Sequence, residues 1–264
     1  MWFRIFLIVA AVWGFSLSGA VAEELTGRSI LEEQEKRHVS DNESGEIDMT
    51  LIDRKGKESQ RQMRVFHLKK DEQSKILIQF LAPANIKGTG LLTWEQGEGK
   101  EDDQWLYLPA TRSVKRIAGG GKKNQFMGTD LAYEDLRFED MDSHKYTLMG
   151  EETVAGRKCW KIESVPATED EKKTSGYGKR VIWVGQDNYF NQKIDYYDHN
   201  GRHVKTTLFE DIRQMKGQLY RPFKVTVKRI RKKTSTILIT KKIELDAPKQ
   251  DVIFTQNYLK RPIK

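Results

Sequence analysis

Residues 75–94 read KILIQFLAPANIKGTGLLTW. Ile78 and Phe80 are two positions apart in this stretch, and the next apolar run carries Trp105 and Tyr107 at the same spacing. Because side chains at i and i+2 of a β-strand point to the same face, each run can line one face of a sheet with large apolar groups. Proline and glycine between the runs are typical of turns that join short antiparallel strands. The pattern predicts a broad apolar sheet face, which would bind an apolar ligand wherever other elements leave it uncovered.

The start of the chain has the pattern of a secretory leader. Arg4 precedes a short apolar core, and Ala20-Val21-Ala22 has the small-x-small form that signal peptidase cuts after. We predict a cleaved signal peptide at 1–22 and a mature periplasmic protein that forms one β domain over 23–264. The alternative is an uncleaved membrane anchor, for which the apolar core is short. A lipid anchor is not predicted, because Glu23 stands where the modified cysteine would be.

The composition limits the class of protein and of partner. Of all residues, 32% are charged and the mean hydropathy is -0.68, as in strands that turn one face to water. The net charge of +8 favours anionic surfaces. We predict no nucleic-acid partner, since no recognition motif is present, and expect transient contact with a membrane surface or an acidic protein. A basic surface without a specific partner is the alternative. Cys159 is the only cysteine, so no internal disulfide is predicted.

Alternation of apolar and polar residues recurs along most of the mature chain, in about 11–12 predicted strands. Nearly all would be antiparallel, and Asn200-Gly201 is the clearest hairpin turn. A sheet of this size curls strongly or closes. Two segments are candidates for helices: Thr26–Val39, and the acidic stretch Gln125–Asp142, in which Thr129 can cap a short helix. The acidic stretch is interpreted as a polar helix face or a folded flap. So few helices would leave an apolar groove on the sheet.

Motifs of catalysis and of metal binding are absent from the sequence. It contains no Gly-x-Ser-x-Gly, no His-Glu-x-x-His and no pair of cysteines, and its histidines are scattered. We therefore predict that the protein is not an enzyme and binds no cofactor and no metal. An envelope hydrolase stays an open alternative, since a missing motif does not exclude an enzyme.

Four tryptophans lie inside predicted strands of the mature chain, at alternating positions: Trp94, Trp105, Trp160 and Trp183. Each one alone is best explained as core packing. As a set they would partly line a cavity, because a curled sheet with sparse helical cover cannot bury all of them.

Three ordered motifs carry a resemblance to a known family. They are Phe80-Leu81-Ala82-Pro83 with Lys87-Gly88-Thr89, then Trp105-Leu106-Tyr107-Leu108-Pro109-Ala110, then Phe126-Met127-Gly128-Thr129-Asp130 with Tyr133-Glu134-Asp135-Leu136. Over most of the mature chain they resemble the outer membrane lipoprotein-sorting proteins, the LolA- and LolB-like periplasmic carriers. The resemblance implies a mainly β fold, a half-open (unclosed) antiparallel β-barrel with a helical lid over an apolar cavity. It also implies a carrier that shields lipid, or the acyl chains of lipoproteins, between the envelope membranes, with an RND-type or ABC transporter of the inner membrane as a possible partner.

The two lines of argument together predict the residues of the site. The apolar cavity is predicted to be lined by Ile78, Phe80, Leu92, Trp94, Trp105, Tyr107, Trp160, Ile162, Trp183, Phe223 and Val225. The lid is predicted to cover it with Ile30, Leu31, Phe126, Met127, Leu131, Tyr133 and Leu136. The alternative function is an interaction module that carries nothing and docks on an RND-type exporter or an envelope stress sensor. In that case the helices would cover the sheet fully and the basic surface would be the functional one.

Overall fold

The computed structural model describes residues 25–70, 73–96, 102–137, 140–246 and 251–261. The predicted signal peptide lies outside these ranges. Within them, no helix combines the length and the apolar character that crossing a bilayer requires.

Most of the described chain is β-strand. The strands are β1 (Asn42–Ile52), β2 (Glu58–Lys70), β3 (Gln73–Ala82), β4 (Gly90–Trp94), β5 (Asp103–Leu108), β6 (Ser113–Ile117), β7 (His144–Val154), β8 (Arg157–Pro166), β9 (Lys179–Gly185), β10 (Asn191–Tyr197), β11 (His203–Lys216), β12 (Leu219–Arg229) and β13 (Thr234–Leu245). The helices are α1 (Gly27–His38), α2 (Glu169–Thr174) and α3 (Gln256–Leu259).

All thirteen strands form one antiparallel sheet in the order β6-β5-β4-β3-β2-β1-β13-β12-β11-β10-β9-β8-β7. The two halves of the chain meet where β1 pairs with β13, and β6 and β7 are the two edges. The sheet is therefore not closed, which confirms the predicted mainly β, unclosed antiparallel fold. The sequence pattern missed β6, because Lys115 and Arg116 interrupt the apolar alternation there.

Strand register divides the side chains between two faces, since residues directly opposite in antiparallel strands point to the same side. On one face, Phe80 lies opposite Met63 and Met63 opposite Ile47. Farther along the sheet this face carries Leu238 opposite Val225, and then Ile194, Ile182 and Ile162 in successive strands. We call this the inner face and the other the outer face.

Helix α1 packs on the inner face over β8 and β9. Thr26 caps it by accepting a hydrogen bond from the Ser29 amide at 3.0 Å. Ile30 and Leu31 are buried in a cluster with the inner-face residues of β8 and β9. Gly27 permits the close approach, because a β-carbon there would lie 3.0 Å from Cγ2 of Ile162. The helix agrees with the predicted Thr26–Val39 segment, with Thr26 as its cap.

A C-terminal segment covers the outer face over β3 to β5. It consists of a 3₁₀ turn at Asp251–Ile253 followed by α3. Phe254 and Leu259 are buried against Leu77 and Leu92, and each large apolar side chain buried in this way contributes about 1.5–3 kcal/mol. The outer face of this half is thus a second core and not a surface for ligands.

Candidate functional site

The inner face is covered at its two ends and is partly exposed between them. α1 covers the end at β8 and β9. The residues 125–137, which we call the flap, cover the end at β3 to β5 and reach across the inner face to contacts on β13 and β11. Between the covers lies a strip of half-buried apolar side chains on adjacent strands, which we call the groove: Ile47, Val65, Phe209, Phe223, Val225 and Leu238. It is the candidate functional site.

Strand register makes the groove continuous. Val65 lies opposite Gly45 in β1, two residues before Ile47. Leu238 lies opposite Val225, and Val225 lies opposite Phe209 in β11. The groove therefore crosses β2, β1, β13, β12 and β11 with apolar side chains, and a ligand lying along it would meet hydrocarbon on each of these strands.

His38, at the end of α1, fixes one wall of the groove. Its Nδ1 accepts a hydrogen bond from the Tyr220 amide at 3.2 Å, and its Nε2 donates to the Asn188 carbonyl at 3.0 Å. Burial lowers the pKa of His38, which keeps the imidazole neutral and able to accept. The ring of Phe190 stands 5.0 Å from His38 and 5.9 Å from Phe209, so an aromatic row leads from α1 into the groove.

The flap forms the other wall through apolar contacts. Phe126 is 1% exposed and stacks on Phe80 with ring centroids 5.8 Å apart. Tyr133 meets Phe126 edge to face at 5.5 Å. The predicted short helix capped by Thr129 is wrong in detail. Thr129 donates to the Phe126 carbonyl inside a tight loop, and the helical turn that follows is a 3₁₀ helix at Tyr133–Leu136.

Two threonines, of which Thr236 is buried, fasten the flap to β13. The Asp130 carboxylate accepts hydrogen bonds from the hydroxyls of Thr234 and Thr236, at 2.5 and 2.8 Å. The amide of Asp130 donates to the Thr236 hydroxyl at 2.9 Å. Hydrogen bonds to a charged group contribute about 1.5–3 kcal/mol each, so these contacts hold the flap in one position.

A buried lysine fastens the flap to β11. Lys205 is 1% exposed and donates to Asp135 at 2.5 Å and to the hydroxyl of Tyr177. Nζ of Lys205 also stands 3.9 Å above the ring of Tyr196. Burial lowers the pKa of Lys205 and raises that of Tyr177. A buried cation is costly unless it is paired, so the flap carboxylate and this lysine require each other.

The neighbouring carboxylate binds the loop before β9. Glu134 accepts hydrogen bonds from the Ser175 hydroxyl at 2.7 Å and the Gly176 amide at 3.0 Å. Burial raises the pKa of Glu134. The acidic residues Asp130, Glu134 and Asp135 thus attach the flap to β13, to the loop before β9 and to β11. The acidic stretch is a folded flap, which was one of the two predicted interpretations.

One end of the groove is charged. Arg221 pairs with Glu43 at 2.7 Å, and both side chains are less than a fifth exposed. His67 lies opposite Glu43 in the neighbouring strand. Burial lowers the pKa of His67 to about 4. The apolar strip therefore ends at a partly buried group of polar and charged side chains.

The predicted cavity residues are divided between the two faces. Ile78, Phe80, Trp160, Ile162, Phe223 and Val225 are on the inner face, and among them Phe223 and Val225 belong to the groove. Leu92, Trp94, Trp105, Tyr107 and Trp183 are on the outer face. The prediction that all of them line one surface is wrong, because Leu92 is in register with Leu77 and so points away from Ile78.

The outer-face tryptophans are covered by other parts of the chain. Trp94 donates from Nε1 to the Phe254 carbonyl at 3.0 Å and meets Trp105 edge to face at 5.1 Å. Trp183 lies between two lysines, with Nζ of Lys193 4.2 Å and Nζ of Lys161 5.3 Å from the centre of its ring. These contacts explain their burial without a ligand.

The predicted lid residues all lie over the inner face, but on two separate covers. Ile30 and Leu31 belong to α1, and Phe126, Met127, Leu131, Tyr133 and Leu136 belong to the flap. Sequence reasoning missed Lys205 and Tyr177, which hold the flap. A lysine within an alternating strand was the available signal, and only the fold gives it a partner.

A cavity of about 530 Å³ lies around β1, β2 and the start of the loop after β3. Asp48, Thr50, Gln60, Gln62 and Lys241 contribute to its lining. These side chains alternate with groove residues along their strands, and so point to the outer face. Met49, Ala82, Pro83 and Ile239 share the lining with these polar residues. An acyl chain there would lie against charged and amide groups, so we do not assign the site there.

Known structures share this architecture. A domain from Vibrio parahaemolyticus, provisionally described as an outer membrane lipoprotein-sorting protein domain, is 29% identical with a TM-score of 0.83, covering 89% of this chain and 98% of its own. A DUF1329 family protein from Desulfovibrio piger is 29% identical with a TM-score of 0.82, covering 88% and 97%. The LolA superfamily protein NE2245 from Nitrosomonas europaea is 21% identical with a TM-score of 0.69, covering 89% and 100%, and shows the fold alone.

Sequence comparisons give a family but no curated relative. A family model described as an uncharacterized protein family matches residues 72–261. That match spans β3 to α3 and includes the groove residues of β11 to β13 as well as the whole flap. A comparison with curated proteins found no significant match.

Proposed function

Since the chain belongs to the family whose model matches residues 72–261 and has the fold of the LolA-like lipoprotein-sorting proteins, we propose that it is a periplasmic carrier of lipid or of lipoprotein acyl chains. The mature protein, from Glu23 onward, would exchange its cargo with a transporter of the inner membrane, of the RND or ABC class. The protein would bind and release its cargo without a chemical reaction.

The observation that carries this proposal is the groove. Its half-buried side chains form an apolar strip across five adjacent strands, between two covers. Burying a methylene group yields about 0.8 kcal/mol, so an acyl chain laid along such a strip would be held without any charge-specific contact. The apolar chemistry of the strip fits hydrocarbon better than it fits a polar metabolite.

The charged end of the groove fits the polar part of the same cargo. Arg221 is held by Glu43 and is only 16% exposed. A headgroup or a lipoprotein backbone at this end would meet hydrogen-bond donors and acceptors, while the acyl chain extends towards Phe209. This orientation puts the polar and apolar parts of an amphiphile against matching side chains.

Movement of the flap away from the sheet would lengthen the groove. It is attached at Asp130 and Asp135 by polar contacts, and ahead of both by Phe126 on Phe80. Release of the flap would expose the apolar inner face of β3 to β5 and continue the groove in that direction. A long acyl chain would then occupy the place of the Phe126 side chain.

Native mass spectrometry tests the proposal on protein purified from the periplasm without detergent, with the extracted lipids identified in parallel. The groove variant is Leu238→Gln and the matched control is Ile239→Gln. These neighbours on β13 are both half-buried and point to opposite faces of the same strand. A polar amide placed against bound hydrocarbon costs about 1–3 kcal/mol, so the groove variant should lose about 5- to 150-fold in lipid affinity.

We expect a stoichiometric lipid on the wild-type protein and on Ile239→Gln, and much less on Leu238→Gln. Equal loss in both variants would mean that the inner-face groove is not the site. A clean apo mass, with no uptake of added phospholipid or lipopeptide, would overturn carriage and favour a docking module that carries nothing.

A further inference from the structure

We infer that the protein docks on an anionic phospholipid surface through two adjacent turns at one end of the central strands. The turns join β1 to β2 (residues 53–57) and β12 to β13 (residues 230–233), and we call them together the basic rim. The basic rim is distinct from the groove, and the inference does not depend on the cargo. It assigns the face by which the protein would meet a membrane.

Strand register places the two turns side by side. Ile52, the last residue of β1, lies opposite Ser235 at the start of β13. The turn after β12 is tight, with the Lys233 amide donating to the Arg229 carbonyl at 3.0 Å, and the Ile230 amide holds it to Val204 of β11 at 3.1 Å. The two turns therefore form a fixed surface and not a pair of independent loops.

The basic rim concentrates positive charge. It presents exposed side chains of Arg54, Lys55, Lys57, Arg231, Lys232 and Lys233. The acidic residues beside them are Asp53 and Glu58. The Asp53 carboxylate is occupied by the backbone, since it accepts from the amides of Lys55 and Lys57 at 2.7 and 2.9 Å. Those amide bonds lower the pKa of Asp53 and fix the turn.

Two basic residues at the opposite ends of the strands are paired with acidic residues. Lys216, the last residue of β11, pairs with Asp246 at 2.7 Å. Arg157, at the start of β8, pairs with Asp187. Within the described ranges, the six cations of the basic rim have no such ion pair. Six exposed cations without such a pair thus lie together in two adjacent turns.

An exposed isoleucine in the basic rim favours a bilayer, and not an acidic protein, as the binding partner. Ile230 is 44% exposed and is followed directly by Arg231, Lys232 and Lys233. Basic residues near an anionic leaflet gain electrostatic attraction, and an apolar side chain among them can enter the headgroup region. The arrangement fits a bilayer interface, where lipid phosphates surround the cations and hydrocarbon lies beneath them.

The position of the basic rim would bring the flap close to the membrane. Thr234 and Thr236 follow the β12–β13 turn directly and hold the flap through Asp130. A bilayer bound at residues 230–233 would thus lie one to three residues along the chain from the two flap contacts. Docking through the basic rim would bring the flap side of the inner face towards the lipid.

Vesicle flotation with the purified full chain tests the inference. The vesicles contain phosphatidylcholine alone or phosphatidylcholine mixed with phosphatidylglycerol, at low and at high salt. The rim variant is Arg231→Gln/Lys232→Gln, and the matched control is Lys241→Gln/Lys242→Gln, two exposed lysines farther along β13. Both variants lose the same charge. Circular dichroism and thermal unfolding verify that each is folded.

We expect the wild-type protein to bind the anionic vesicles and to release them at high salt. The rim variant should bind them about 30-fold more weakly, and the control variant much less so. At intermediate salt, where the electrostatic attraction is partly screened, Ile230→Ser should bind the anionic vesicles more weakly than the wild-type protein does. Equal weakening by the rim and control variants would reduce the effect to net charge and overturn the inference. Failure of the wild-type protein to bind anionic vesicles would also overturn the inference. It would favour an acidic protein as the partner of the basic rim.

Discussion

Asp135 of the flap accepts a hydrogen bond from Nζ of Lys205 at 2.5 Å, and the two side chains are 5% and 1% exposed. The phenol of Tyr177 donates to the same carboxylate at 3.0 Å. The flap is therefore attached to the sheet by a charged pair inside a mainly apolar region. Apolar contacts can slide, whereas a buried ion pair has one geometry, so this pair sets a single closed position for the flap.

Removal of the cation should destabilise the protein strongly. Lys205→Met leaves the Asp135 carboxylate buried without its partner, and the free energy of unfolding should fall by about 3–5 kcal/mol. The control is Lys224→Met, because Lys224 pairs with Glu210 at 2.9 Å in an exposed place and should cost less than about 1 kcal/mol. Urea unfolding measures both. Similar values for the two variants would mean that the flap pair does not stabilise the fold.

A covalent bond at the flap should block loading if the flap must open. The variant is Asp130→Cys/Thr236→Cys in a Cys159→Ser background, since Asp130 and Thr236 are in direct hydrogen-bond contact. Uptake of phospholipid or lipopeptide should be lost in the oxidised form and return on reduction, so the reduced protein is its own control. Equal uptake in both redox forms would show that cargo enters without movement of the flap.

The sequence predicted which residues of one strand share a face, but not which residues of different strands do. Alternation within a strand correctly grouped Ile78 with Phe80, and Trp105 with Tyr107. It could not relate one pair to the other, because a shift of one residue in register exchanges the faces. Register depends on the turn that joins the strands, and here Leu77, not Ile78, lies opposite Leu92.

The flap contacts were beyond sequence reasoning for a different reason. Asp135 and Lys205 are 70 residues apart in the chain. Each lies in a local pattern that is explained without the other, an acidic loop and an alternating strand. Helix α1 could be predicted, with Thr26 or Ser29 as its possible cap, because a cap and an apolar stripe are fixed by residues that are close in sequence.

The C-terminal segment should be a structural cover. Phe254 is 2% exposed and belongs to the cluster over β3 to β5, so Phe254→Ala should lower the free energy of unfolding by about 3–5 kcal/mol. Val252, two residues earlier, is 58% exposed, and Val252→Ala should change it by less than about 0.5 kcal/mol. Chemical denaturation gives both values. Tryptophan emission should shift to the red in Phe254→Ala, since Trp94 contacts this segment. Equal stability of the two variants would contradict the assignment of this segment to the core.

Acid should destabilise the charged end of the groove through His67. Burial lowers its pKa from 6.5 to about 4, so the folded protein resists protonation that the unfolded chain accepts. This contribution to stability is complete above pH 6.5 and is lost as the pH falls towards 4. The difference between the two pKa values corresponds to about 3 kcal/mol. Because carboxylates titrate in the same range, the measurement compares urea unfolding of the wild-type protein and His67→Gln at several pH values. The wild-type protein should lose about 3 kcal/mol more than the variant over this range, and parallel pH profiles would show that His67 protonates equally in both states.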